Sequence, residues 1–383
     1  MRWSLVASLV AAIVGCAADD RDDSSSEAEL RALLGLPDHF ELPAIPEFNP
    51  PTAAKIELGR RLFYERRLSA NETQACADCH DQALAFADGL KTPEGSTGAQ
   101  LTRNSMALAN VAYNTSYTWA SNGLLTLEDQ IKVPLLSDNP IELGVTDGVR
   151  DQVLARFDDD PDYAALLRAA YPLEEEGATV NKIVFALASF LRTMTSGDSP
   201  YDRYVAGDRD ALTEQQRIGM SLFNGERFEC FHCHAGILLT TAYRDANVKD
   251  QDVHLVFFNN GLYNVDGEGS YPPNNQGLYE QTQNPDHRGL FRPPSLRNIA
   301  LTGPYMHDGS VATLREVIEH YAAGGRLIED GPFAGDGRVS PLKSGLVRGF
   351  DATDEEIDAV LAFLESMTDP GFITAPQLAN PHE

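Results

Sequence analysis

A chain of 383 residues is long enough for two domains of ordinary size, each with its own core. Its 43% hydrophobic content excludes a disordered polymer, and its formal net charge of −27 excludes a nucleic-acid binder, because phosphate recognition needs clustered Lys and Arg. Such an acidic surface either keeps a protein soluble or meets a basic partner.

The chain opens on a targeting signal. Arg2 supplies a positive start, and residues 5–14 form an apolar run too short to span a bilayer as a mature helix. The run ends in Ile13-Val14-Gly15-Cys16, which has the form of a bacterial lipoprotein cleavage box. Residues 1–15 therefore read as a signal peptide and Cys16 as the lipidated first mature residue; a plain signal peptide with an incidental cysteine is the alternative. The expected location is the periplasmic side of the bacterial envelope, at the outer membrane, with membrane contact only through the anchor. Residues 16–50 are a tether and N-terminal extension, and the Asp- and Ser-rich stretch 19–27 reads as flexible.

Beyond the extension the sequence repeats itself. Leu58-Gly59-Arg60-Arg61-Leu62-Phe63 precedes Cys76-Ala77-Asp78-Cys79-His80, and Ile218-Gly219-Met220-Ser221-Leu222-Phe223 precedes Cys230-Phe231-His232-Cys233-His234. In both copies an amphipathic helix carries an apolar-Gly-x-x-Leu-Phe face into a loop and then the cysteines. Thr213 and Gln216 have capping-box spacing, which predicts a helix start there. A closing helix follows in each copy: residues 180–194 are apolar at helical spacing, and residues 353–367 open with Thr353-Asp354-Glu355-Glu356. The domain boundary lies near residues 196–209, rich in Gly, Asp, Ser and Pro. Period-two alternation is scarce, so strands are minor. Residues 259–287, rich in Asn, Gly and Pro, form a loop long enough to be functional or mobile. The fold class is mainly α, with two helical domains of the cytochrome c kind at 51–205 and 206–370, long ordered loops, and a tail at 371–383.

Cys-x-x-Cys-His is the attachment signature of c-type haem: two thiols form thioethers and the adjacent histidine binds the iron. Four cysteines in an exported chain also suit disulfides, and paired cysteines also suit zinc. Neither alternative explains a histidine directly after both pairs, so the cofactor set is two haem c, with His80 and His234 as proximal ligands. Between His80 and Arg103 there is no histidine or methionine, and residues 91–100 are a small polar loop, which predicts an open site on the first iron. Electron carriers fill both axial positions; enzymes that handle peroxide leave one open.

At this point the sequence resembles the bacterial diheme cytochrome c peroxidases and MauG over essentially the whole mature chain. The likeness runs through Arg103-Asn104, Trp119, Pro140-Ile141-Glu142-Leu143-Gly144, and the run from Pro294 through Arg297, Thr302, Pro304, Met306 and His307 to Gly309. It is closer still to the MbnH-like diheme enzymes linked to methanobactin systems, through Thr118-Trp119-Ala120, Leu125-Thr126-Leu127-Glu128-Asp129-Gln130 and Glu319-His320-Tyr321-Ala322-Ala323-Gly324-Gly325. The resemblance implies peroxide at the first haem, Glu142 as acid-base group, and Gln130 and Pro134 lining the same pocket; on its own Glu142 reads as a solvated cap or loop carboxylate.

The peroxidases usually carry Met fourteen residues beyond the position of His307 as distal ligand of the second haem; here that position is Tyr321. At about 100° per residue, Tyr321 falls on one helical face with Leu314, Val317 and Ile318, while His320 points away. A buried core tyrosine is the plainer reading, and His307 and Met306 are rival ligands, to which the resemblance gives supporting or packing roles, as it does to Arg297. An oxygen ligand favours high oxidation states of iron, whereas Met favours the ferrous state. Trp119, the sole tryptophan left once Trp3 goes with the signal, matches the residue between the haems; by itself it reads as a core aromatic. Asn104, Thr302 and Pro304 match calcium ligands, otherwise turn formers.

These features together predict an enzyme that uses hydrogen peroxide to oxidise a partner protein, by resemblance a tryptophan on a copper-binding partner converted to a kynurenine-type product. The alternative is a cytochrome c peroxidase drawing electrons from a small cytochrome or cupredoxin.

Overall fold

The structure is a computed structural model and describes residues 20–382; the signal peptide and Cys16 lie outside the described residues. Twelve α-helices occur among them: α1 (Asp20–Leu34), α2 (Ala53–Phe63), α3 (Leu127–Leu136), α4 (Arg150–Asp158), α5 (Pro161–Ala170), α6 (Val180–Leu191), α7 (Pro200–Val205), α8 (Glu214–Phe223), α9 (Tyr279–Thr282), α10 (Leu314–Ala322), α11 (Asp354–Glu365) and α12 (Pro370–Ile373). The only sheet among these residues pairs β1 (Leu327–Ile328) with β2 (Gly335–Asp336), antiparallel, Leu327 opposite Asp336. No helix among them is long and apolar enough to cross a membrane.

The repeat has a packing reason. Helix α2 lies on α6 and α8 lies on α11, and in each pair the glycine of the apolar-Gly-x-x-Leu-Phe face sits against a backbone carbonyl. A Cβ at Gly59 would stand 2.0 Å from the Ala186 carbonyl oxygen, and one at Gly219 would stand 1.8 Å from that of Ala359. The glycines let the helices close, and the Leu-Phe pair behind them fills the core: Leu62 and Phe63 in one half, Phe223 in the other, are buried. Capping follows the sequence pattern: Thr213 with Gln216, Thr313 with Glu316 and Thr353 with Glu356 each form a reciprocal capping box.

The cores divide accordingly. One contains α2 to α6, joined by Phe40 from the N-terminal extension and by Phe372, Ala375 and Leu378 from the C-terminal end. The other contains Phe223, Ile318, Ile357, Val360 and Phe363 of α8, α10 and α11. A third, smaller cluster is built from loops and gathers Ala120, Leu262, Tyr263, Tyr271, Phe291 and Val311, with Trp119 and Met306 against it. The Asn-rich loop belongs here, and its asparagines explain its order. Asn259 accepts hydrogen bonds from the Gly261 amide and the Tyr271 hydroxyl (both 2.9 Å), and Asn264 accepts from the Gly269 amide (2.8 Å). Each replaces a ladder partner that a strand would supply.

One expectation changes. The stretch expected to be a flexible tether falls largely within α1, because Glu27-Ala28-Glu29-Leu30-Arg31-Ala32-Leu33-Leu34 is a run of strong helix formers that carries the helix and buries Leu34. The Gly-, Asp- and Ser-rich boundary stretch holds α7, started by a Ser199–Asp202 capping box, and its buried Ser196 and Ser199 are hydrogen-bonded to Asp369 and Asp202.

Candidate functional site

Both Cys-x-x-Cys segments form a single 3-10 turn, Cys76–Asp78 and Cys230–His232, that brings the two thiols round to one side with the histidine following. The histidines are oriented in the same way. His80 Nδ1 lies 2.8 Å from the Phe86 carbonyl and His234 Nδ1 lies 3.0 Å from the Leu239 carbonyl. Both acceptor residues have left-handed backbones, φ 62° and 52°, a conformation uncommon for large side chains that turns each carbonyl back towards its imidazole. With Nδ1–H donated to a carbonyl, Nε2 keeps its lone pair for a metal. Burial lowers the pKa of both rings, His234 to about 4, so both stay neutral.

The thiols suit thioethers better than zinc or a disulfide. All four are free. Burial pushes Cys76, Cys79 and Cys230 up to about 12 and Cys233 to about 11. Among the described residues the one group of three metal-type side chains within mutual reach is Glu226, Glu229 and His232, which contains no cysteine.

The second Cys pair opens into a cavity lined by Cys230, Cys233, His234 and Tyr321. Its walls are chiefly apolar, with Phe223, Phe228, Leu296, Ile318 and Leu364 among them, as a porphyrin requires. Tyr321 reaches the cavity on the same face of α10 as Leu314, Val317 and Ile318, whereas His320 turns away and pairs through Nε2 with the Asn260 carbonyl at 3.0 Å. Met306 and His307 line the same cavity. His307 is stacked on Phe291 (ring centroids 3.7 Å apart), its buried Nε2 lacks a partner, and burial holds its pKa down at about 3. Burial pushes the Tyr321 phenol up to about 12, partly opposed by a hydrogen bond from the Asn260 side chain. Arg297 touches the cavity, but its guanidinium is committed elsewhere, to the Ile237 carbonyl and to Asp202.

Around the first Cys pair the surroundings are polar. Cys79, Gln74 and Asp78 share a hollow with Leu90, Lys91, Thr92, Pro93, Glu94 and Gln100, so the loop without His or Met covers this side. The Ser96 amide donates to the Glu142 carbonyl (2.8 Å) and the Leu143 amide to that of Pro134 (2.9 Å), which fastens Glu142 between the loop and α3. Gln130 and Pro134 lie one turn apart on α3, and Gln130 Oε1 is buried without a partner. Glu142 acts electrostatically on both Cys76 and Cys79, and burial alone pushes its carboxyl up to about 7. Glu142 thus holds a carboxyl able to accept and release a proton at neutral pH.

Trp119 stands where the two sites meet. Its Nε1 donates to the Asn104 carbonyl (2.8 Å), and its ring lines the second cavity. Asn104 in turn takes its amide N–H to the His307 carbonyl (2.9 Å) and its side-chain nitrogen to the Leu90 carbonyl (2.8 Å), bridging the loop of the first site and the wall of the second. Thr302 and Pro304 line that wall with Asn104. Donation from the Asn104 side-chain nitrogen leaves its oxygen, the atom type calcium takes, facing away from Leu90.

Three contributors escape a reading of the sequence. Arg292, buried and lowered to about 10 by that burial, donates its backbone N–H to the Trp119 carbonyl (2.8 Å) and its side chain to Thr118 O and Asn114 Oδ1. Gln74 donates to Cys79 Sγ (3.3 Å) and Glu94 O (2.9 Å). The third is Asn260. None belongs to a short motif; each is recruited from a loop by the fold.

A family model described as Di-haem cytochrome c peroxidase matches residues 53–210. The methylamine utilization protein MauG of Methylorubrum extorquens is 31% identical over 360 residues, 93% of this chain and 91% of that protein. The cytochrome-c peroxidase IdrP1 of Pseudomonas sp. is 33% identical over 356 residues, 88% of each. Among solved structures, a MauG-like protein associated with microbial copper homeostasis superposes with a TM-score of 0.88 at 45% identity, over 91% of this chain and 99% of that one. The chain therefore belongs to the MauG and diheme cytochrome c peroxidase family, a family of diheme oxidoreductases that act on peroxide.

Proposed function

We propose that this enzyme uses hydrogen peroxide to oxidise a partner protein at a distance from the peroxide site, rather than to accept electrons from a small carrier. The observation that carries the reading is the contrast between the two sites: a near-neutral carboxyl, Glu142, beside Cys76 and Cys79, against a tyrosine, Tyr321, in the cavity of Cys230, Cys233 and His234. Cys76 and Cys79 would hold the first haem and His80 would bind its iron. When bound, that haem supplies the iron chemistry that splits the peroxide bond. Glu142 takes the proton from one peroxide oxygen and gives it to the other, so that water leaves, while Gln130 and Pro134 shape the pocket. His234 and Tyr321 would hold the iron of the second haem, and a phenolic oxygen there would favour holding oxidising power over collecting electrons. Trp119, bonded to Asn104 between the sites, carries oxidising equivalents from one to the other. Asn104, Thr302 and Pro304 would hold a calcium ion beside it.

The substrate is a tryptophan on a copper-binding partner, converted to a kynurenine-type product. Support comes from the copper-homeostasis association of the MauG-like structure at 45% identity. The working location is the periplasmic side of the outer membrane, through lipidated Cys16, supported by the Ile13-Val14-Gly15-Cys16 box. The test mixes the diferric protein with peroxide and candidate copper-binding partners and follows the mass of partner tryptophan peptides. A peroxide-dependent mass change on one tryptophan is expected. The second reading, a peroxidase fed by a small cytochrome or cupredoxin, is favoured by the 33% identity to a cytochrome-c peroxidase. Fast turnover with a reduced carrier and no change in any partner would establish it instead.

A further inference from the structure

We propose that Asn260 selects the distal ligand of the second haem by tying down the Met306 sulfur with an amide N–H, which leaves the position to Tyr321. The proposal rests on the reading of Tyr321 as ligand and goes beyond it by naming what decides between the two side chains. Both Tyr321 and Met306 line the cavity of His234, so lining alone leaves either able to reach an iron there.

The orientation of the Asn260 amide follows from its backbone neighbours. The Leu262 amide donates to Asn260 Oδ1 (3.2 Å). Flipping the carboxamide would set two donors against each other, so the NH2 group must face the opposite side. There Nδ2 lies 3.4 Å from Met306 Sδ. The segment is pinned to α10 from outside the cavity as well, because His320, the residue before Tyr321, pairs with the Asn260 carbonyl at 3.0 Å. Met306 itself sits at φ 72°, a backbone conformation that a residue with a long side chain adopts only where its surroundings hold it.

The chemistry is one of competition. A sulfur lone pair engaged by an N–H is withdrawn from the iron, which leaves the phenolic oxygen of Tyr321 without a competitor there. Methionine favours ferrous iron and an oxygen ligand favours ferric, so the competition is read in the reduction potential as well as in the spectrum.

The experiment uses the full diheme protein. In Asn260→Leu the phenolate-to-iron absorption band of the ferric protein loses most of its intensity, and the second haem shifts at least tenfold towards the ferrous form, 59 mV upwards for one electron. Asn260→Asp keeps the acceptor for Leu262 but lacks both donors, and gives the same loss of band. Adding Met306→Leu to Asn260→Leu removes the competitor and brings the phenolate band back. Unchanged haem content and an unchanged first-haem spectrum report that the variants are folded. Asn260 variants with the wild-type band and potential overturn the proposal, and so does a double variant in which the band stays lost. Tyr321→Phe separates the two readings: if it leaves the wild-type spectrum intact, Tyr321 is no ligand and both readings fall. If it abolishes the band while the Asn260 variants keep it, only the role of Asn260 falls.

Discussion

Glu142→Gln removes the acid-base group while keeping its size and its polar character. Burial holds the carboxyl at about 7 instead of its ordinary 4.5. At that pKa the ionised fraction is about 0.1 at pH 6 and about 0.9 at pH 8, so peroxide cleavage that needs the carboxylate speeds up roughly tenfold across this interval. Glutamine cannot take the proton, and general acid-base assistance of this kind is worth ~10²–10⁴-fold. The variant is therefore expected to react with peroxide at least a hundredfold more slowly, with no pH dependence between 6 and 8. A stability consequence comes with it. The folded protein holds this proton while the unfolded chain has released it, so the wild type loses stability as pH rises from about 4.5 to about 7. At ~1.4 kcal/mol per pH unit the loss reaches on the order of 3 kcal/mol above that window. Glutamine escapes it, so Glu142→Gln is expected to melt higher than wild type at pH 8 and the same at pH 4. The assays are stopped-flow mixing of the diferric protein with peroxide across the pH range, and thermal unfolding at the two pH values. A variant within about threefold of wild type, or with the same pH profile, would refute the assignment.

The packing account predicts that Gly219→Ala, whose new Cβ would fall 1.8 Å from the Ala359 carbonyl, forces α8 off α11 and costs ~3 kcal/mol or more, seen as a lowered unfolding midpoint. An unshifted melt would show that the helices part more easily than the structure implies. Glu128→Ala leaves Arg192 buried without its carboxylate partner (2.8 Å), and a broken buried pair costs ~3–5 kcal/mol; urea unfolding measures it. Trp119→Phe keeps a ring at the junction but removes the bond to the Asn104 carbonyl (2.8 Å). Peroxide treatment followed by rapid freezing is expected to show oxidising equivalents shared between the haems at least tenfold more slowly, while peroxide is consumed at the wild-type rate in the first turnover.

Much of the architecture was legible because local signals were strong. The two Leu-Phe faces, the Thr-x-x-Gln and Thr-x-x-Glu starts, and the Cys-x-x-Cys-His runs each act within one helix or one turn, and the structure repeats them in place. The wheel that put Tyr321 with Leu314, Val317 and Ile318 works for the same reason. Composition misled at α1, where acidic and Ser residues concealed the helix formers that follow them. Other features depend on chain segments far apart. Asn260 meets Met306 across 46 positions, and the carbonyls that orient His80 and His234 come from left-handed residues, Phe86 and Leu239, with no side-chain signature. The repeat glycines were visible as a pattern, but the reason for them, a backbone carbonyl across the helix pair, appears only in three dimensions. Glu142 is the sharpest case. Its sequence context is that of an exposed loop carboxylate, and only the packing of its segment between the loop at Ser96 and α3 makes it a half-buried one.

Asymmetry between the two irons is the claim on which the mechanism stands, and electron paramagnetic resonance of the resting diferric protein measures it directly. One high-spin signal, from the haem of His80 with its other face free for peroxide, and one low-spin signal, from the haem of His234 and Tyr321, are expected in equal amounts. Two low-spin signals, each from an iron with both axial positions filled by protein, would contradict the account and leave a carrier of electrons in place of a peroxide-using enzyme.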